Sequence, residues 1–114
     1  MAECLFCRIV NKELPSHIVY EDEDILGFRD IAPVAPVHVL FVPKRHIASL
    51  SDLTDEDGPL VGKLLQSVAN YAATENSLAQ GYRVVANTGP AAGQSVAHLH
   101  FHVLGGRQMG WPWG

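Results

Sequence analysis

Seven residues near the C-terminus constrain the fold of this chain more than any other segment. From position 98 to position 104, histidines alternate with apolar residues: His98, Leu99, His100, Phe101, His102, Val103 and Leu104. Neighbouring side chains on a β-strand point to opposite faces, so a strand here places three imidazoles on one face, each about 6.6 Å from the next. On a helix, residues two apart point about 200° apart. The pattern predicts a strand over residues 97–104, closed by the glycines at 105 and 106.

The remaining elements are predicted from hydrophobic periodicity and turn residues. Residues 4–10 form a short helix or turn, and strands are predicted over residues 18–20, 25–28, 37–42 and 82–86. Residues 21–24 are an acidic turn, and the proline-containing residues 30–36 are a loop. Thr54 is the predicted N-cap of one long helix, with an irregularity at Gly58 and Pro59 and an end near Asn76. This order predicts one α+β domain over residues 1–114, with an antiparallel sheet and the helix on one face.

Composition and charge limit the classes of partner. The chain has 114 residues and a net charge of −4, and its Lys and Arg residues number eight. A protein that binds nucleic acid usually carries a basic face. No apolar run approaches the roughly 18 residues that span a bilayer, and residues 1–4 lack the pattern of a signal peptide. We therefore expect a cytoplasmic protein that binds neither nucleic acid nor membrane, whereas one small phosphate ligand is compatible with this charge.

The three imidazoles admit two kinds of chemistry. Protonated neighbours repel one another, so we expect mostly neutral rings at pH 7, and neutral imidazoles act as nucleophiles or metal ligands. The three could hold a catalytic zinc with an open water position, or one could attack phosphorus while its neighbours orient it. The preceding residues 89–95 are rich in Gly and Ala, and such loops present backbone N–H groups to phosphate. This loop favours the nucleophile.

Several separated motifs, taken in order, resemble one family. The segment from His98 to Leu104 is similar to the signature of the histidine triad (HIT) family. Residues 93–96 before it, residues 105–109 with Trp111 and Pro112 after it, and residues 30–36 and 42–46 resemble the nucleotide-binding, HINT-like branch. The resemblance covers nearly the whole chain.

This resemblance implies a HIT-like fold whose antiparallel sheet extends across a homodimer. It implies a hydrolase of purine nucleoside phosphoramidates that binds an AMP- or GMP-type nucleotide, forms a covalent nucleotidyl-histidine and needs no cofactor for catalysis. By resemblance, His100 is the nucleophile and His102 stabilises charge on the phosphate. His98 and His38 complete a hydrogen-bonding chain behind the nucleophile.

Further residues are assigned to the nucleotide by the same resemblance. Asp30 is expected to accept hydrogen bonds from the ribose hydroxyls. Phe28 and Ile31, with Ile18 as an addition, are expected to enclose the purine, although such residues can serve equally as core. Donors on the phosphate side are expected to be Asn87, Gly93, Gln94, Ser95 and Val96. Trp111 resembles a residue that reaches the partner subunit's site. Gly110 and Trp113 depart from the common pattern, which leaves the preference for leaving groups open.

The two cysteines have two interpretations. A disulfide is unexpected in a reducing cytoplasm. In some bacterial-type members of the family such a pair joins two histidines, here His46 and His98, around a structural zinc. Two thiolates from Cys4 and Cys7 and two imidazoles make a closed tetrahedral site. The alternative is a reduced pair packed in an N-terminal turn.

Two other functions remain open at this level. One is a dinucleoside polyphosphate hydrolase, as in the fragile histidine triad branch, and the other is a nucleotide sensor without catalysis. Residues 105–112 argue against the first. The sequence does not separate adenosine from guanosine.

Overall fold

The computed structural model describes residues 4–113, which form one sheet with a helix against each face. Along the chain the elements are α1 (Leu5–Val10), β1 (Ile18–Glu21), β2 (Ile25–Arg29), β3 (Val37–Pro43), α2 (Gly58–Thr74), β4 (Tyr82–Val85) and β5 (Phe101–Gly105). Neighbouring strands pair antiparallel in the order β1-β2-β3-β5-β4. The predicted α+β class is confirmed. Residues 1–3, which belong to the segment used to expect no signal peptide, and residue 114, the predicted end of the domain, lie outside the described residues.

The long helix α2 covers one face of the sheet. Its buried residues Leu64, Val68 and Ala72 recur at helical spacing and pack against the sheet residues Phe41 and Val103. The predicted N-cap, Thr54, begins a single 3-10 turn (Asp55–Asp57), where its N–H donates to the Asp57 carboxylate over 2.8 Å. The α-helix starts at Gly58, because Pro59 is tolerated in a first turn, where its missing N–H has no partner to lose.

The short helix α1 covers part of the opposite face. Phe6 and Ile9 are buried there against the sheet residues Leu26, Phe28, Leu40 and Val42. The segment predicted as a short helix or turn over residues 4–10 is a helix from Leu5 to Val10, and the Cys4 sulfur accepts a hydrogen bond from the N–H of Cys7 over 3.4 Å. The two faces of the sheet therefore have separate cores, and the histidine-bearing face is the one under α1.

The five strand ends each differ by one residue from the prediction, and the start of β5 differs by four. Glu21 belongs to β1, where it pairs with Leu26, because Asp22 closes the turn by accepting the N–H groups of Asp24 and Ile25. The predicted strand over residues 97–104 was too long at its start, since β5 begins at Phe101.

Proline at the end of β3 explains the shorter β5. The register pairs Phe41 with Phe101, so Leu99 would face Pro43, and proline has no N–H for the ladder. The Pro43 carbonyl is also engaged by the His98 ring, 2.8 Å from Nε2. Leu99 instead donates its N–H to Ile47 over 2.6 Å. The first two triad histidines therefore precede the strand.

Among the helices of residues 4–113, none has both the length and the apolar character that a transmembrane span needs.

Candidate active site

The side chains of the triad segment still alternate between the two faces of the sheet, although two of the three histidines precede β5. Leu99, Phe101 and Val103 are buried in the core under α2. The histidines face the other way, and the rings of His100 and His102 lie 5.1 Å apart between centroids. The prediction that apolar residues anchor one face and imidazoles occupy the other is therefore confirmed. The regular spacing predicted for an unbroken strand does not hold for His98.

The ring of His100 has a defined tautomer. Its Nδ1 lies 2.7 Å from the carbonyl oxygen of His98. A carbonyl only accepts, so Nδ1 carries the proton and donates, and the neutral ring has its lone pair on Nε2. The side chain is 5% exposed, and Phe6 packs edge-on against it with centroids 5.0 Å apart. His100 thus presents an unprotonated nitrogen in a restricted orientation.

The ring of His38 has the opposite tautomer. The N–H of Val34 donates to His38 Nδ1 over 3.1 Å, so the proton of the neutral ring is on Nε2. That nitrogen lies 2.9 Å from His102 Nδ1 and 3.3 Å from an Asp30 carboxylate oxygen. His38 therefore donates to His102, whose own proton is then on Nε2. The result is a relay in which His102 is a donor.

Burial keeps these two rings neutral. It lowers the pKa of His38 below its ordinary value, against the opposing effect of the Asp30 charge. Burial also lowers the pKa of His102, assisted by His100 and His38 and opposed by Asp30. A neutral relay next to the nucleophile is suited to attack on an anionic phosphate ester, because it donates a hydrogen bond without a permanent charge.

The expected chain of imidazoles behind the nucleophile requires a correction. His38 bonds to His102 and not to His100. The side chain of His98 is turned away from His100, and only its backbone carbonyl contacts the nucleophile. The physical reason is the shortened strand, which leaves residue 98 free to turn its ring towards α1.

An apolar cavity of about 410 Å³ lies between α1, the end of β2 and the middle of β3. Five of its lining residues were assigned to the nucleotide from the sequence: Phe28, Asp30, Ile31, Ser95 and Val96. Ile31 is 98% exposed, so it lies at the rim. Ile18 is on β1 and does not line this cavity. Sequence analysis missed a second wall of the cavity, to which α1 and the following turn contribute Leu5, Phe6, Ile9, Leu14 and Pro15. The helical spacing of the first three was the signal that could have identified it.

Asp30 stands at the mouth of that cavity. One carboxylate oxygen accepts the N–H of Ala32 over 2.8 Å, and the other faces His38. The backbone N–H of Asp30 donates to the His38 carbonyl over 3.0 Å. The carboxylate is thus held between the cavity and the relay, where it can accept from hydroxyl groups of a ligand.

The loop before the triad is built around its own hydrogen bonds. Gly89 and Gly93 have φ values of 84° and 81°, which favour glycine. Gln94 was expected to donate to phosphate, and that expectation is wrong for its side chain. Its amide NH₂ donates to Ala48 and Val96 carbonyls and its oxygen accepts from the Gly89 N–H. The Gln94 side chain therefore stabilises the loop, because its amide bonds to backbone groups on both sides of it.

Most backbone N–H groups in the same loop already donate hydrogen bonds within the protein. The N–H groups of Ala92, Gly93 and Gln94 bond within the loop. Those of Ser95 and Val96, and the Ser95 hydroxyl, have no acceptor among residues 4–113, so they remain for a ligand. Asn87 lies just beyond β4, half-buried. Trp111 is 75% exposed and packs on Trp113, with centroids 4.2 Å apart, outside the cavity.

The predicted metal ligands Cys4, Cys7, His46 and His98 come together although they are far apart in sequence. Their four ligand atoms lie within 4.8 Å of one another. His98 Nδ1 is 3.4 Å from the Cys4 sulfur and 3.6 Å from the Cys7 sulfur, and His46 Nδ1 is 3.3 Å from the Cys7 sulfur. In a tetrahedral zinc site with ordinary bond lengths, a sulfur and a nitrogen ligand lie about 3.5 Å apart. The donor set and its spacing therefore fit zinc.

The hydrogen bond behind His98 agrees with that fit. Its Nε2 donates to the Pro43 carbonyl, so the lone pair is on Nδ1, which faces both sulfurs. Metal-bound histidines almost always donate their second ring N–H in this manner. Burial and the neighbouring Cys4 raise the pKa of the Cys7 thiol, and a bound cation would counter both effects. His46 contributes from the exposed side.

Comparison with known proteins agrees with this architecture. Residues 11–109 match the family model of the HIT domain. A HIT-like protein from Synechococcus elongatus, described as uncharacterised, is 53% identical over 110 residues, which are 96% of each chain. The crystal structure of a HIT family hydrolase from Legionella pneumophila superposes with a TM-score of 0.95 at 47% identity, covering 98% of this chain and 100% of that one. A histidine triad protein from Clostridium difficile gives a TM-score of 0.93 at 41% identity, covering 96% of each chain. This chain therefore belongs to the HIT family.

Proposed function

We propose that the protein is a hydrolase of purine nucleoside phosphoramidates, of the HINT-like branch, that acts through a nucleotidyl group on His100. The observation that supports this most is the pair of opposite tautomers in the site. His100 has a lone pair on Nε2, while its neighbour His102 has a proton on Nε2. A nucleophile beside a hydrogen-bond donor is the pair needed to attack phosphorus and stabilise the oxygens around it. The related Legionella protein is described as a hydrolase.

The proposed reaction has two steps. Nε2 of His100 attacks the α-phosphorus, the P–N bond to the amine breaks, and the amine nitrogen takes a proton from solvent water as it leaves. His102 Nε2–H and the free N–H groups of Ser95 and Val96 hold the non-bridging oxygens. Water then attacks the phosphohistidine, which releases the nucleoside monophosphate and restores His100. Apart from the substrate and water, every group that takes part in these steps belongs to the chain.

The apolar cavity is the proposed nucleoside site. Phe6 and Phe28, whose rings meet edge-on at 5.5 Å, form its inner wall, and a purine has the flat apolar faces that such a wall favours. Asp30 lies at the mouth, and its carboxylate is the proposed acceptor for two ribose hydroxyls. Both AMP- and GMP-type nucleotides fit this proposal, because the lining offers the base mainly apolar contacts.

We also propose a structural zinc on the Cys4/Cys7/His46/His98 cluster and a homodimer that extends the sheet through β4. Bound zinc would supply a cross-link between α1 and the segment before β5. As for the dimer, β4 is an edge strand with Tyr82 and Val84 exposed. Arg83 on that strand donates to the Gly110 carbonyl over 2.7 Å, which holds the tail beside the same edge. From there Trp111 could reach a partner subunit's site.

The central test is capture of the intermediate. Wild-type protein is mixed with an adenosine phosphoramidate, quenched within milliseconds and digested, and the peptide that carries His100 is weighed. We expect an adduct with the mass of a nucleoside monophosphate, absent from His100→Asn and present in His17→Asn, in which an exposed histidine outside the site is changed. Turnover without an adduct would refute the nucleophile. Faster turnover of a diadenosine polyphosphate than of the phosphoramidate would favour the polyphosphate hydrolase, and binding without turnover of either would favour a sensor.

A further inference from the structure

We propose that the Cys4/Cys7/His46/His98 cluster, when it holds its metal, positions the nucleophile, and that His98 is the positioning residue. The inference rests on the proposed function, because it assumes that His100 Nε2 attacks phosphorus. It goes beyond a structural zinc, since it assigns the cluster a role in the rate of the chemical step.

One residue belongs to both sites. The side chain of His98 is 0% exposed and is held at both ring nitrogens, by the Pro43 carbonyl on one side and by the two sulfurs on the other. Its backbone carbonyl accepts the His100 Nδ1–H over 2.7 Å. A restraint on the His98 ring is therefore a restraint on the carbonyl that selects the His100 tautomer.

The backbone between these two histidines has little other support. Residues 98 and 100 precede β5 and take no part in the sheet ladder. Leu99 has one backbone bond, from its N–H to Ile47. A short segment outside a ladder has rotational freedom unless side chains anchor it, so the His98 ring is its main anchor on the active-site face.

A second contact couples the cluster to the nucleophile. Phe6 lies between the two cysteines in the chain and packs edge-on against the rings of both His98 and His100, at 6.0 and 5.0 Å. Its helix, α1, has only six residues, and an isolated helix of that length is unstable in water. Metal that ties Cys4 and Cys7 to His98 would hold Phe6 against the nucleophile as well.

Loss of the metal should therefore change the nucleophile before it changes the fold. A neutral imidazole has two tautomers, and the hydrogen bond at one nitrogen selects between them. With the His98 carbonyl displaced, His100 would populate the tautomer with the proton on Nε2, which has no lone pair for the phosphorus.

The experiment compares wild-type protein loaded with one equivalent of zinc, the same protein after chelation, and Cys7→Ser. Three quantities are measured on each: the single-turnover rate with an adenosine phosphoramidate, the Kd for AMP, and the His100 tautomer by long-range ¹H–¹⁵N NMR. We expect the rate to fall about tenfold to a hundredfold, the usual effect of disturbing a residue one step from the reacting atoms. The Kd for AMP should change less than about threefold, and the His100 spectrum should show a mixture of tautomers.

Val68→Ala is the matched control, because it makes a cavity under α2 on the other face of the sheet. It should lower stability without changing the tautomer or the rate. Cys7→His supplies a nitrogen ligand in place of the sulfur and should recover the rate when zinc is added. If Cys7→Ser does not fold, His46→Ala replaces it, since His46 is exposed.

The inference is overturned if the tautomer and the single-turnover rate in Cys7→Ser match those of Val68→Ala. A failure of the proposed function has a different result. Zinc-loaded wild type would then bind AMP without cleaving the phosphoramidate, while the tautomer measurement would still report on the coupling.

Discussion

Two clusters of the same residue type lie on one face of the sheet and have opposite chemistry. One joins His46 and His98 to two cysteines, and the other joins His38 and His102 to Asp30; each set has its ligand atoms within 4.8 Å of one another. In the first, His98 donates its Nε2–H to the Pro43 carbonyl and turns the lone pair of Nδ1 inward. In the second, His38 accepts a backbone N–H at Nδ1 and turns a proton inward.

The difference shows that the backbone group behind an imidazole decides what the ring can do. A carbonyl behind the ring makes it a ligand, and an N–H behind it makes it a donor. A metal on the second cluster would need the His38 Nε2 proton removed, and the proton could not move to Nδ1 while Val34 donates there. Proximity of two histidines and a carboxylate is therefore not sufficient for a metal site.

The largest expected effect separates zinc binding at the first cluster from catalysis at His100, whose ring lies beside His102 of the second cluster. His100→Asn should lower kcat at least about a thousandfold, because the covalent route is lost. Its zinc content should equal that of wild type, and its Kd for AMP should change little, since the cavity and Asp30 remain. Steady-state kinetics and elemental analysis test this. A variant that loses zinc together with activity would show that the clusters are one unit.

Zinc should bind the first cluster only. Calorimetric titration of the metal-free protein should give one equivalent, and zinc at a thousandfold excess over its Kd should raise the free energy of unfolding by about 4 kcal/mol. In Cys7→Ser that gain should shrink to less than about 1 kcal/mol, because the closed set of four ligands is broken. His38→Gln should retain the full gain. Two equivalents in wild type, falling to one in His38→Gln, would contradict the tautomer argument.

The value of kcat should depend on the hydrogen bond that His38 donates to His102. His38→Leu should lower kcat about tenfold to a hundredfold, since His102 loses the hydrogen bond that fixes its proton on Nε2. His38→Gln should lose less, because its amide can still donate. Rates of both variants with the phosphoramidate, at saturating substrate, make the comparison. Equal rates for Leu and Gln would mean that the His38 proton has no part in the reaction.

Acid should lower the contribution of the second cluster to the free energy of unfolding. Burial lowers the pKa of His38 and of His102 from the ordinary value of 6.5. Below pH 6.5 the unfolded chain then binds more protons than the folded one. The contribution of these two histidines to the free energy of unfolding is therefore fully present above pH 6.5 and is lost as the pH falls towards their folded-state pKa values. Each group contributes at most about 1.4 kcal/mol per pH unit. Urea unfolding of metal-free protein between pH 5 and pH 8 should show a weaker pH dependence in His38→Gln, whereas an equal slope would contradict this origin.

The smallest effect on stability is expected from a region outside both clusters. Deletion of residues 109–114 removes two exposed tryptophans and should change the free energy of unfolding by no more than about 0.5 kcal/mol, as for other exposed positions. If Trp111 reaches a partner subunit's site, the ratio of kcat/KM for a bulky and a small leaving group should change. An unchanged ratio would remove the tail from the proposed site.

The sequence determined the parts of this protein that depend on local periodicity. Alternation placed Leu99, Phe101 and Val103 in one core and the histidines on the other face, and helical spacing identified α2. These predictions succeeded because a strand or a helix fixes the direction of each side chain by geometry alone. Asp30 and the two cysteines were assigned from the family resemblance, because they are too far from the triad in sequence for local periodicity to connect them.

Only the tertiary structure decided which atom of each ring faces its neighbours. Pro43 shortens β5 and receives the His98 ring, Val34 sets the tautomer of His38, and Ala48 engages the amide of Gln94. Each of these partners is a backbone group brought from another part of the chain. Every non-proline residue has the same N–H and every residue the same C=O, so a sequence carries no mark of which of them will meet a given side chain.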